Sequence, residues 1–262
     1  MSLLEVNHLT QQFGGLKAVS DVSLSIEEGE LIALIGPNGA GKTTLFNMLT
    51  GVNVPSSGEI KMATAKGQVL VNGKRTDQVA KLGMSRTFQN IRLFAELSVL
   101  DNIKIAMTDK TRENFVETML RLPSFYKKEN AIEDEARKLL TGFQLIRYAR
   151  STAGSLPYGL QRRVEIVRAL ATKPRLLFLD EPAAGMNPEE TADLTTVIRR
   201  IQQDYGVTVV LIEHDMSLVM NLAQRIYVLD HGSLIASGTP AEIKQNPAVV
   251  AAYLGGEAVV EG

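Results

Sequence analysis

The chain has 262 residues, 45% of them hydrophobic and 22% charged, with a formal net charge of −1. That length can bury a large core, as one domain with an insertion or as two small domains, and the charge balance gives no bulk attraction to nucleic acid. There is no cysteine, which excludes disulfides and thiolate metal sites; no apolar run approaches the ~20 residues of a spanning helix and no signal peptide is read, so a soluble protein is expected and membrane work would need a partner.

Residues 3–13 and 18–26 alternate like antiparallel strands, with Gly14-Gly15 as the turn between them. Glu28-Gly29-Glu30 is another turn, and residues 31–35, all apolar, suit a buried strand. Gly36-Pro37-Asn38-Gly39-Ala40-Gly41-Lys42-Thr43 then fits the pattern G-x-x-x-x-G-K-[ST], and residues 43–49 suit a helix ended by Gly51. Strand, glycine loop and helix are the context this phosphate-binding motif requires. The glycines let backbone N–H groups curl around an anion, and the helix start adds free donors and a positive dipole end. Lys42 can reach the β- and γ-phosphates, and the Thr43 hydroxyl can ligate Mg²⁺. The expected nucleotide contacts in this stretch are Asn38, Gly39, Ala40, Gly41, Lys42, Thr43 and Thr44.

Residues 59–72 read as strands broken near Ala65-Lys66-Gly67, with a turn at Asn72-Gly73. From Ser98 to about Arg150 the character changes. Ser98-Val99-Leu100-Asp101 resembles a helix capping box, and residues 111–122 and 129–141 carry charged helical periodicity, separated at Leu122-Pro123-Ser124. Strand–helix alternation returns at 176–179 and 207–212 with a helix between, a pattern for a parallel α/β sheet interrupted by a helical insertion. Thr239-Pro240-Ala241-Glu242 is a capping box with Pro at the first helical position, and Asn246-Pro247 starts a last short helix.

The strand at 176–179 runs into Asp180-Glu181. A phosphate-loop enzyme needs a carboxylate near Mg²⁺ at the end of a neighbouring strand. Asp180 suits that position, and Glu181 suits polarising an attacking water.

With these residues in place, the chain resembles the nucleotide-binding subunits of ABC transporters over nearly its whole length. The resemblance implies an α/β fold with a RecA-like P-loop core, an antiparallel β subdomain and an inserted helical subdomain. It divides the chain into core and β subdomain at 1–90 and 156–238, helical subdomain at 91–155, and a C-terminal helical tail at 239–262. It implies that Gln89, in Arg86-Thr87-Phe88-Gln89-Asn90, contacts Mg²⁺ and couples to the membrane domain. His214, in Ile212-Glu213-His214-Asp215, would contact the γ-phosphate; Phe13, with Val19 beside it, would stack on adenine. The loop from Pro182 to Asn187 matches the family's dimer-contacting loop, with Asn187 where Asp is usual. The catalytic set is then Glu181, His214 and Lys42, the metal set Thr43, Gln89 and Asp180, and the cofactors ATP and Mg²⁺.

The family signature usually reads Leu-Ser-Gly-Gly-Gln, acting on the nucleotide held by a partner in a head-to-tail dimer. The matching stretch is Leu156-Pro157-Tyr158-Gly159-Leu160, followed by Gln161. Pro157 replaces the serine and has no N–H, Tyr158 replaces a glycine, and Leu160 replaces the glutamine. Gly159 and the helix start expected after it keep a dipole and backbone donors. This chain is therefore expected to complete its partner's site poorly and to work in a heterodimer with a second ATPase subunit.

Residues 12–19, 86–94, 182–188, 213–216 and 246–255 resemble the branched-chain amino-acid importer subfamily, which also carries a tyrosine in its signature. Importers of urea or short amides and the lipopolysaccharide-export ATPase share much of this pattern. A soluble non-transport ABC ATPase usually carries two cassettes or a long coiled coil, neither of which is visible. Implied partners are transmembrane permease subunits and, indirectly, a periplasmic or extracytoplasmic binding protein, with no nucleic acid. The implied location is peripheral, on the cytoplasmic face of the membrane.

Overall fold

The computed structural model describes residues 2–108 and 123–255. Strands β1 (Ser2–Phe13) and β2 (Leu16–Glu27) form an antiparallel pair around the Gly14–Gly15 turn. β3 (Leu31–Ile35) leads through a glycine loop into helix α1 (Lys42–Leu49), and β4 (Ser57–Thr64) and β5 (Gly67–Leu70) follow as a hairpin. Together β2-β1-β4-β5 make a four-stranded antiparallel sheet. After α2 (Thr76–Lys81) and β6 (Met84–Arg86), helices α3 (Val99–Thr108) and α4 (Pro123–Gly142) and two short 3₁₀ turns, Ile146–Tyr148 and Ala153–Ser155, fill the interval before α5 (Tyr158–Ala171). The chain then runs through β7 (Leu176–Asp180), α6 (Pro188–Tyr205), β8 (Thr208–Ile212), α7 (Met216–Leu222), β9 (Arg225–Asp230), β10 (Ser233–Gly238), α8 (Pro240–Gln245) and α9 (Pro247–Gly255).

The second sheet has the order β10-β9-β3-β8-β7-β6; β9, β3, β8, β7 and β6 are parallel and β10 is antiparallel at the edge. β3, β7 and β8 are buried at every position. Alternate residues divide between two cores. Ala33, Leu177, Leu179, Val209 and Leu211 face a cluster built with α5 and α6, whereas Ile32, Leu34, Phe178, Val210 and Ile212 face the antiparallel sheet and α1. A strand covered on both faces has no polar side, which is why these runs read as continuous apolar sequence.

The predicted Thr239 capping box forms in both directions, and the one at Ser98 forms in its forward half only. Ser98 Oγ accepts from Asp101 N (3.0 Å), and Thr239 N donates to Glu242 Oε2 (2.7 Å) while Pro240 opens α8. Two boundaries differ. α4 begins at Pro123 rather than 129, because proline is tolerated in the first turn where its missing N–H has no intrahelical partner. α5 begins at Tyr158, with Pro157 as the flanking residue, so Gly159 lies inside the helix rather than before it. The expected helix at 111–122 lies outside the described residues. Unanticipated were α2, β6, α7 and the β9–β10 hairpin. That hairpin turns at His231-Gly232, both with positive φ (43° and 79°), a mirror-type turn without the usual Asn-Gly pair.

Candidate functional site

The glycine loop is shaped by close backbone approaches. A Cβ at Gly36 would lie 2.1 Å from the carbonyl oxygen of Leu229, and one at Gly41 would lie 2.3 Å from that of Ala18; both residues also adopt positive φ. Only glycine fits there without displacing β9 or β2. The loop closes on Lys42, the first residue of α1, whose Nζ donates to the carbonyls of Gly36 (2.7 Å) and Pro37 (2.9 Å). Burial lowers the Lys42 pKa from its usual value, and the nearby Glu181 carboxylate opposes that shift.

A cleft of about 460 Å³ opens over this loop. Its walls include Asn38, Gly39, Ala40, Gly41, Lys42, Thr43 and Thr44, and across from them Glu181 and His214. Leu16, Lys17 and Ala18 from the start of β2 and His231-Gly232 from the hairpin turn complete it. Phe13 stands exposed at the end of β1 opposite Leu16, and it is Leu16 that lines the cleft. Val19 is fully buried between the two sheets, so its side chain belongs to the core.

The acidic pair at the end of β7 divides. Asp180 is buried and paired with Arg86 at 2.6 Å, and Arg86 also donates to Asn47 Oδ1 (2.7 Å) on α1. Glu181 follows with φ 45°, an uncommon conformation outside glycine, and its N–H donates to the carbonyl of Ile212 (3.0 Å). This turn sends the Glu181 side chain into the cleft. Gln89 Nε2 donates to Glu181 Oε2 at 2.9 Å, and His214 Nε2 lies 2.9 Å from Glu181 Oε1. The structure thus brings Gln89, Glu181 and His214 into one hydrogen-bonded cluster facing Lys42. Beyond it, Asp215 caps α7 by accepting from Ser217 N (2.8 Å) and Leu218 N (3.1 Å), which fixes the loop carrying His214.

The stretch at 156–160 lies apart from this cleft. Leu156 is buried, Tyr158 is exposed, and Gly159 is enclosed. A Cβ at Gly159 would meet Glu190 Oε1 at 2.6 Å. Glu190 is engaged in the capping box of α6, with Asn187 Oδ1 accepting from Glu190 N at 3.0 Å and Asn187 N donating to Glu190 Oε2 at 3.1 Å. Gly159 is small because the cap of the neighbouring helix occupies its side-chain space. One turn on, Arg162 is fully buried and donates to Glu165 Oε2 (2.7 Å), to the carbonyl of Phe88 (2.6 Å) and to that of Gln89 (2.5 Å). Glu165 Oε1 in turn accepts from Arg92 N at 3.0 Å. This ion pair holds the backbone of residues 88–92 against α5.

Sequence reasoning missed Arg86, Arg162, Glu165 and Glu213 as parts of the site. Their signal was faint: each sits at a strand end or on an apolar helix face, where a charged residue needs a partner. Among the described residues no three His, Asp or Glu side chains make an all-protein metal cage. Mg²⁺ needs none, because it keeps waters and takes phosphate oxygens alongside one or two protein oxygens. The Thr43 hydroxyl, the Gln89 amide oxygen and Asp180 are hard oxygen donors of that kind.

A model of the ABC transporter family matches residues 19–184, and one described as "Branched-chain amino acid ATP-binding cassette transporter" matches residues 233–259. The chain is 45% identical over 253 residues to the high-affinity branched-chain amino acid transport ATP-binding protein BraF of Pseudomonas aeruginosa, covering 97% of this chain and 98% of that one. Similarity to the lipopolysaccharide export system ATP-binding protein LptB of Escherichia coli is lower, 34% over 255 residues, with the same coverage. A crystal structure of an ATP-binding cassette of an ABC transporter in its ADP conformation superposes with a TM-score of 0.82 at 30% identity, covering 97% of this chain and 99% of the other.

Proposed function

We propose that this chain, which belongs to the ABC transporter family, binds and hydrolyses ATP to drive an importer of branched-chain amino acids. The observation that carries the ATPase reading is the convergence of Gln89 and His214 on Glu181, opposite Lys42. The match of the C-terminal residues to the branched-chain subfamily favours import over lipopolysaccharide export.

The glycine loop and Lys42 bind the phosphates. Lys42 exchanges the carbonyls of Gly36 and Pro37 for phosphate oxygens, a stronger charge-assisted contact. Mg²⁺ would supply charge neutralisation at the phosphates; Thr43 and Gln89 would hold it, supported by Asp180, whose carboxylate is shared with Arg86. Glu181 orients the attacking water, and His214 and Lys42 steady charge on the γ-phosphate. Phe13 or Leu16 at the open end of the cleft offers an apolar surface for adenine.

The first-turn N–H groups of α5 have no side-chain cap, which supports their use on a phosphate held by a partner cassette. Without a serine hydroxyl at Pro157, that help is weak, and a heterodimer with a second, different ATPase subunit supplies a better signature to this chain's own nucleotide. No helix among the described residues is long and apolar enough to cross a membrane. Its likeness to transporter ATP-binding proteins supports a working position on permease subunits at the cytoplasmic face, fed indirectly by an extracytoplasmic binding protein. A pull-down of the tagged chain from its native membranes tests this. Recovery of a second ATPase subunit with an amino-acid binding protein supports the proposal; two copies of this chain with lipid-export components refute it.

A further inference from the structure

Three acids are buried among the described residues: Glu165, Asp180 and Glu213. Glu165 pairs with Arg162 and Asp180 with Arg86. Glu213 is 4% exposed and pairs with no cation among the described residues; its carboxylate is directed at backbone N–H groups instead. Oε1 accepts from Ala183 N at 2.7 Å and Oε2 accepts from His214 N at 3.1 Å. Burial holds the Glu213 pKa above its usual value, backbone hydrogen bonds offset this only in part, and the nearby Glu181 carboxylate adds to the rise.

A buried carboxylate without a cation is costly, so its geometry needs an account. Ala183 lies two residues after Glu181, in the turn that aims that side chain, and His214 carries the ring that meets Glu181 at 2.9 Å. The carboxylate therefore joins the two loops whose side chains form the Glu181–His214 contact. The same turn continues through Ala184 N to the carbonyl of Glu181 (3.2 Å) and Met186 N to that of Ala183 (3.1 Å), into the cap of α6 at Asn187.

We propose that Glu213 is a positioning residue for hydrolysis: its carboxylate locks the Glu181 turn and the His214 loop together, so that the Glu181–His214 contact is formed before nucleotide arrives. This rests on the ATPase reading above. A second consequence is that movement of the Ala183–Asn187 turn against a partner cassette reaches His214 through this side chain in addition to the Glu181 N–Ile212 O bond at the strand ends.

The test is Glu213→Gln, nearly isosteric, with Glu213→Asp as a second variant that keeps the charge but is one methylene too short to span both loops. Glutamine offers one acceptor oxygen and turns an NH₂ toward an N–H donor, so one loop is released. The expected result in both variants is a fall in kcat of about 10- to 100-fold, as for loss of one hydrogen bond to a charged acceptor, with ATP affinity unchanged. The ring resonance of His214, one of three histidines in the chain and identified by its loss in His214→Ala, is expected to move toward its position in Glu181→Gln. Near-normal kcat in Glu213→Gln, while Glu181→Gln is inactive, overturns the inference and leaves the ATPase reading intact. A fall in turnover that follows a lowered melting temperature, with the His214 resonance unmoved, also overturns it. Sustained turnover by Glu181→Gln would instead sink the underlying reading.

Discussion

Two polar clusters meet at the loop of residues 88–92, and they are built in opposite ways. The Glu181 cluster joins three side chains by single hydrogen bonds at the edge of the cleft, with His214 46% exposed. The Arg162–Glu165 pair is 0% and 2% exposed and also bonds backbone groups of Phe88, Gln89 and Arg92, with Arg162 Nε left unpartnered. Gln89 and His214 are exposed, so water can take their place at little cost when a nucleotide arrives, while Glu181, 18% exposed, stays in the position set by its turn. In the second, every contact is desolvated and removal of one member strands the others. The loop's backbone is thus fixed to α5 while the Gln89 side chain stays exchangeable. Any displacement of α5 must carry the Gln89 backbone with it.

The largest expected effect breaks the second cluster. Arg162→Met leaves Glu165 as a buried, unpaired carboxylate and should cost about 3–5 kcal/mol of stability. Urea unfolding measures it, and a loss below 1 kcal/mol would mean that the pair is solvated and the contrast false. Next comes the cation that faces the first cluster. Lys42→Ala removes a charge-assisted contact to phosphate and should weaken ATP binding by about 10- to 100-fold, read by equilibrium titration with a fluorescent nucleotide. Unchanged affinity would contradict the assignment of the glycine loop. The smallest effect sharpens the boundary between the regions. Asn187→Ala removes one side-chain cap from α6 and should cost about 1 kcal/mol in thermal unfolding. A much larger loss would place the Asn187 turn within the cooperative Arg162 cluster rather than beside it.

The glycine loop that faces the first cluster was legible in the sequence, because a phosphate loop is a local motif whose glycines, lysine and threonine lie within eight consecutive residues. The burial of β3, β7 and β8 was equally visible as apolar runs of strand length. Asp180 and Glu181 were read from an apolar strand that ends in two carboxylates, whereas Gln89 and His214 came only from resemblance to a family, since each lies in a separate loop with no local pattern. The second cluster was not legible. Arg162 and Glu165 read as ordinary polar positions on a helix, and only the approach of the 88–92 loop to α5 turns them into a buried pair. Val19 was misjudged for the related reason that an alternating strand does not announce which face a second sheet will cover. The β9–β10 hairpin escaped because His231 adopts positive φ in a turn where Asn would have been the recognisable residue. Gly159 read as a signature residue; the structure adds a steric demand from Glu190 that no linear pattern contains.

The most direct test of the central claim is a single-turnover measurement of labelled ATP on the wild-type chain and on Glu181→Gln, each with its native partner subunits. The account predicts that Glu181→Gln retains ATP with wild-type affinity and releases no ADP in the time the wild type needs to complete hydrolysis. ADP release by the variant at a rate near that of the wild type would contradict it, and would remove Glu181 and the cluster around it from the chemistry.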